Sequence, residues 1–231
     1  MVNLINQKIL IGLDISTSST GVAVLSVSSK NTTSHVITTS KLTNKETMVN
    51  DIINTVKKVN DYYTNTDVIV ILENYTKSIL KNDRVGIAYT ISTMCAHIKH
   101  ELSRLNIKVV ESLPFSWRKP FGLYTKCESS NKKDYQHTRD VYYVAHNILK
   151  QQSTACVQRN INRLGLDIFK SLSLSDDEAE AILIAKSYQL VKFKDSELQA
   201  RWYKVYYVTV DEVASMKKTN PYQKAKVWNG K

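Results

Sequence analysis

Four carboxylates stand where acids are uncommon. Asp14 closes the apolar run Ile9 to Leu13, Glu73 closes a second run from Val68 to Leu72, and Asp177 and Glu180 sit at the start of the segment Leu174 to Ala185. Buried strands that end in acids bring like charges together, and a bound cation offsets that repulsion. An all-oxygen donor set suits Mg²⁺, with Mn²⁺ as a substitute. The chain carries a formal net charge of +11, from 32 Lys+Arg against 21 Asp+Glu. Such a surplus makes nucleic acid the expected partner, although basic charge alone would also suit an anionic membrane. Metal-held carboxylates facing a polyanion point to phosphodiester hydrolysis, and so to a nuclease.

Each acid also has an ordinary explanation. Asp14 is followed by Ile15, Ser16, Thr17, Ser18, Ser19, Thr20 and Gly21, which reads either as a hairpin turn capped by Asp14 or as a phosphate-binding loop. A glutamate at a strand end, such as Glu73 before Asn74, is commonly just solvated. Ser175 with Glu178 three residues on forms a capping box, and Asp176 and Glu178 are favoured there by the helix dipole alone. Asp177 and Glu180, by contrast, share a helical face that continues into Ile184 rather than into solvent. Asp176 and Glu180, four apart, meet the same requirement, which leaves the register open by one residue.

Positioning these acids requires an α/β layer fold, because strand and helix signals alternate along the chain. Lys8 to Asp14, Gly21 to Ser28 and His35 to Thr39 read as an antiparallel meander. Apolar residues at Met48, Ile52, Ile53, Val56, Val59 and Tyr63 have a helical period, and Asp67 to Glu73 returns as a buried strand. That crossover places Asp14 and Glu73 on adjacent parallel strands. A long helix from about Asp83 to Leu105 carries Ile87, Ala88, Ile91, Met94, Cys95, Ile98, Leu102 and Leu105 on one face. This stripe serves either the core of the same chain or a dimer seam. Ile107 to Val110 follows as another strand. Residues 1–190 form the expected main domain, and residues 191–231 a basic extension. The extension has an aromatic-rich strand from Trp202 to Val210 and a tail bearing Lys217, Lys218, Lys224 and Lys226.

Other classes lose ground on the same reading. The longest apolar run is far short of a bilayer span, and the N-terminus lacks a basic region followed by a sustained apolar stretch, so no membrane association is expected. Cys95, Cys127 and Cys156 are odd in number and lack zinc-site spacing, which suits reduced thiols in an intracellular, cytoplasmic setting. His97 and His100 have no ligand spacing. No Ser/His/Asp arrangement, Walker loop or dinucleotide fingerprint occurs.

Strand-Asp14-turn-Gly21-strand, strand-Glu73-Asn74, and helical Asp177 and Glu180 resemble the three motifs of the RuvC-like Holliday junction resolvases, within the RNase H-like (retroviral integrase) superfamily. The resemblance runs from about Ile9 to Gln189, with the order and spacing of all three motifs kept, and suggests a phage or virus type variant. It implies a mixed five-stranded sheet flanked by helices, with Asp14, Glu73, Asp177 and Glu180 as catalytic metal ligands. It also implies a homodimer that introduces paired nicks in four-way DNA junctions. Asp14 would bridge two metal ions about 4 Å apart, and the products would be a 5′ phosphate and a 3′ hydroxyl. Ile15 and Ser16 depart from the family's usual Pro-Gly, and Glu180 replaces its usual last Asp.

The stretch Glu111 to Gly122 with Lys126, Lys132 and Lys133 is similar to the family's DNA-approaching loop. On that likeness Arg118, Lys119, Lys126, Lys132 and Lys133 contact phosphates, and Trp117 and Phe121 stack or wedge at the branch point. The alternative is that both rings are core. Two other functions compete with the nuclease: a catalytically silent branched-DNA scaffold, and an actin/hexokinase-like phosphotransferase with a similar first strand and Asp-turn. The latter needs a second Gly-rich phosphate loop, against which a total of 6 glycines argues.

Overall fold

Side chains alternate across a strand, so each strand here sorts its residues between two different cores. A computed structural model describes residues 7–28, 34–74, 85–121, 125–127, 173–192 and 206–208, with positions 153–154, 156–158, 161 and 165. Strands β1 (Gln7–Ile15), β2 (Thr20–Ser28) and β3 (Ser34–Leu42) form the expected antiparallel meander. Helix α1 (Met48–Tyr62) crosses over to β4 (Asp67–Glu73), which pairs parallel with β1. Helix α2 (Val85–Arg104) then leads to β5 (Lys108–Ser112), parallel to β4. The result is one mixed five-stranded sheet in the order β3-β2-β1-β4-β5.

On one face, Ile9, Ile11, Leu13 and Ile15 of β1 join Val22 and Val24 of β2 and Val68, Val70 and Leu72 of β4. Met48, Ile52 and Val56 of α1 and Ile91, Cys95, Ile98 and Leu102 of α2 cover them. Ile91, Cys95, Ile98 and Leu102 of the α2 stripe therefore pack into this chain's own core, the first of the two readings of that face. Ile87 and Tyr89 on the same helix remain 43% and 73% exposed. Burial also pushes the Cys95 thiol up to about 11, as expected of an unreactive core cysteine.

The opposite face presents Leu10, Ala23, Leu25, Ile69 and Ile71 to helix α4 (Asp176–Lys192). Residues Ala179 and Ala181 to Ala185 of α4 are all buried, so the helix is enclosed rather than amphipathic. Short helix α3 (Pro114–Arg118) and the 3₁₀ turn Lys119–Phe121 bring Trp117 and Phe121 into this second core, together with Cys156, Val157 and Leu190. Within the strand expected over Trp202 to Val210, the described residues form β7 (Tyr206–Val208). It pairs with β6 (Thr125–Cys127) in a separate two-stranded sheet, not with an edge of the main one. No helix among the described residues is long and apolar enough to cross a membrane.

Candidate active site

Asp14 and Glu73 follow directly from strand register. Leu13 pairs with Leu72 in the parallel β1·β4 ladder, so the next residues, Asp14 and Glu73, end neighbouring strands on the same face, the face that α4 covers. Gly21 of β2 lies opposite Asp14, and Gly12 of β1 lies opposite Ala23. These two glycines let α4 sit directly on the sheet. A side-chain carbon on Gly12 would overlap the Ala181 carbonyl, and one on Gly21 would overlap the carbonyl of Asp177. The acids of α4 are thereby lowered onto the strand ends that carry Asp14 and Glu73.

All four acids are buried: Asp14 is 6% exposed, Glu73 0%, Asp177 4% and Glu180 2%. Their partners differ. Glu73 Oε1 accepts a hydrogen bond of 2.6 Å from Trp117 Nε1. Glu180 Oε1 pairs with Arg118 Nη2 at 3.1 Å and accepts from Ser153 Oγ at 3.2 Å. Asp177 Oδ2 accepts from Ser19 Oγ at 2.7 Å and pairs with Lys41 Nζ at 2.8 Å. Of the two registers that the sequence leaves open, Asp177 is thus the acid turned to the sheet, while Asp176 is only half-buried. Glu178 forms the capping box, its Oε2 accepting from Ser175 N and Oγ while its own N–H bonds Ser175 Oγ.

Enclosure raises the pKa of Glu73 above the usual 4.5. The Arg118 charge opposes that shift most strongly, a hydrogen bond with the neighbouring Asp14 carboxyl also opposes it, Glu180 adds to it by repulsion, and the Trp117 N–H works against it. Arg118 also lies 4.4 Å over the Trp117 ring, so its guanidinium touches both Glu180 and the indole that holds Glu73.

The residues expected to contact DNA divide sharply. Trp117 and Phe121 are 0% and 1% exposed, and a ring with no open face stacks on no base. Arg118 is likewise enclosed, an ion-pair partner of Glu180 rather than a surface phosphate contact. The side chains of Lys119 and Lys126, and all of Lys132, Lys133 and the tail lysines, lie outside the described residues. The turn after β1 is closed by Ser16, whose Oγ accepts from Ser18 N and Ser19 N and donates to the Ser19 carbonyl. Those amides are used within the turn, which disfavours its reading as a phosphate-binding loop. Lys41, Ser19 and Ser153 escaped sequence reasoning. Lys41 falls two residues past the expected end of β3, yet it is the register partner of Gly21.

Among the described residues no group of three or more carboxylate, Cys or His side chains stands in metal-ligating geometry. Asp177 is turned to Lys41 and Glu180 to Arg118. The donor chemistry still fits a hard divalent cation, because the acids offer only oxygen. Glu73 Oε2, moreover, is buried without a hydrogen-bond partner among the described residues. An orphaned carboxylate oxygen of this kind calls for a cation or a proton.

No protein-family model and no curated protein matches the chain at a significant level. Solved structures do. T. thermophilus RuvC in complex with a Holliday junction substrate aligns over 80% of this chain and 95% of its own, at 12% identity and a TM-score of 0.51. Fowlpox virus resolvase in complex with Holliday junction DNA aligns over 80% of this chain and 98% of its own, at 17% identity and a TM-score of 0.50. With its β3-β2-β1-β4-β5 sheet, its crossover helices and α4 across the opposite face, the chain has the RuvC form of the RNase H-like fold.

Proposed function

We propose that this protein is a divalent-metal-dependent endonuclease acting on branched DNA, and that it resolves four-way junctions by paired nicks as a homodimer. The observation that carries the reading is the gathering of Asp14, Glu73, Asp177 and Glu180 at one end of the sheet, with an enclosed Glu73 oxygen that has no hydrogen-bond partner among the described residues. The shared fold with two proteins solved on Holliday junctions supports the choice of DNA, and the net charge of +11 suits it.

Asp14, Glu73, Asp177 and Glu180 would hold the metal, Mg²⁺ or Mn²⁺ in its place, which when bound supplies Lewis acidity to the attacking water and the leaving 3′ oxygen. The chain's own contribution is preorganisation. Trp117 orients Glu73, Ser153 and Arg118 orient Glu180, and Ser19 orients Asp177. Lys119, Lys126, Lys132 and Lys133 are proposed to bind backbone phosphates. Resolution needs two nicks in strands of like polarity, which a two-fold symmetric dimer places by geometry.

A labelled panel of four-way junctions, flaps, forks and duplexes tests the reading. Wild type with Mg²⁺ should nick the junction, and Asp14→Asn should bind it as well or better without cutting, because a metal ligand and a repelling charge are lost together. Metal-dependent nicking by purified Asp14→Asn would remove the site assignment. Junction binding by wild type without nicking in any divalent metal would identify a scaffold instead.

A further inference from the structure

Asp177 and Glu180 are each paired with a cation supplied by the chain itself, and the two cations are held very differently. Arg118 is buried, paired with Glu180 and laid over Trp117. Lys41 reaches Asp177 from β3 across Gly21, which has no side chain to block the path, and its own side chain is 38% exposed. An enclosed guanidinium stacked on an indole has no route out that leaves the second core intact. A lysine on a flexible stem at the rim does.

We propose that Lys41 is a displaceable counter-ion: it holds Asp177 when no metal is bound, and a divalent cation must drive it off Asp177 to bind. Arg118 in contrast stays in place as a fixed charge of the site. This rests on the metal-dependent reading above and adds to it an occupant of the carboxylate that the ion needs. Glu73 Oε2, buried and without a hydrogen-bond partner among the described residues, is a donor already open to the ion. Asp177 is the donor that must first be released. Lysine and metal therefore compete, and the lysine lowers metal affinity while stabilising the metal-free fold.

The test is calorimetric titration of Mg²⁺ and Mn²⁺ into the 231-residue chain, paired with thermal melts in chelator and in saturating metal. Lys41→Met should bind metal about tenfold more tightly than wild type, the order expected when one contacting unit charge is removed. It should melt lower in chelator and gain more from metal. Lys41→Arg should stay near wild type. Lys8→Met removes the same charge at the opposite end of the sheet, where Lys8 pairs with Asp67 at 2.9 Å, and should leave affinity unchanged. Equal gains in Lys41→Met and Lys8→Met would reduce the effect to general charge and overturn the proposal. Unchanged or weaker binding by Lys41→Met would overturn it too. Should wild type and Asp14→Asn bind metal equally, the metal-site reading fails first and takes this proposal with it. Wild-type binding that Asp14→Asn weakens, without a gain in Lys41→Met, removes only the role of Lys41.

Discussion

Gly21 of β2 and Asp177 of α4 meet backbone to backbone, with no room between them for a methyl group. The contact fixes how deep α4 sits, and so how near its acids lie to Asp14, the register partner of Gly21. Gly21→Ala should lift the first turn of α4. Overpacking of this kind costs about 1–3 kcal/mol, which a denaturant melt would register. Metal affinity should fall with it, since Asp177 moves away from the strand ends. A variant with wild-type stability and wild-type metal binding would show that α4 does not owe its position to this glycine.

The strand ends were legible because continuous apolar runs of strand length mark β1 and β4, and a crossover makes them parallel neighbours whatever packs around them. The acids of α4 were legible as a face but not as a register, since Asp176 and Asp177 differ by one step that only the glycine contacts decide. Lys41 was missed, and Arg118 was read as a phosphate contact, for another reason. A lysine beyond a strand end and an arginine beside a tryptophan look like surface residues until it is seen that Gly21 opens a path for the first and that Trp117 is drawn into the core for the second. Basic charge in a sequence signals nucleic acid only after the charges committed to internal acids have been set aside.

Glu73 predicts a pH dependence of the metal-free fold. Its carboxyl titrates above the usual 4.5, mainly because of burial. The folded state therefore favours the protonated form, and the stabilisation is complete below about 4.5 and is lost as pH rises through the higher folded value. Glu73→Gln keeps an oxygen for the Trp117 N–H but cannot ionise. In chelator, the melting temperature of wild type should fall relative to Glu73→Gln as pH rises from the usual 4.5 through the higher folded value. A gap that stays constant with pH, or shrinks, would contradict the raised value.

Trp117 has become a positioning residue rather than a base-stacking one. Trp117→Phe preserves most of the ring volume but removes the N–H that Glu73 Oε1 accepts at 2.6 Å. Leaving a buried carboxylate oxygen without that donor should cost about 1–3 kcal/mol. Junction affinity in chelator should be unchanged, because the indole is 0% exposed. A large loss of junction binding with an intact melt would restore the stacking role.

Two positions on helix α2 test folding and the proposed association separately. Ile91 is 4% exposed and packs with Cys95, Ile98 and Leu102 against the sheet, so Ile91→Glu would bury a charge among apolar groups and should unfold the chain rather than yield a folded monomer. Tyr89, at 73% exposed, lies on the same helix outside that core. Tyr89→Glu should keep wild-type stability to within about 0.5 kcal/mol, as surface substitutions usually do. If the proposed homodimer forms along the remaining face of α2, the same change should shift sedimentation at micromolar concentration toward the monomer. It should also uncouple the two nicks, leaving junctions cut in one strand only. A folded, monomeric Ile91→Glu would mean that the α2 stripe is a seam after all. Wild type that sediments as a monomer, both free and on junction DNA, would remove the dimer and require each molecule to cut the two strands in turn.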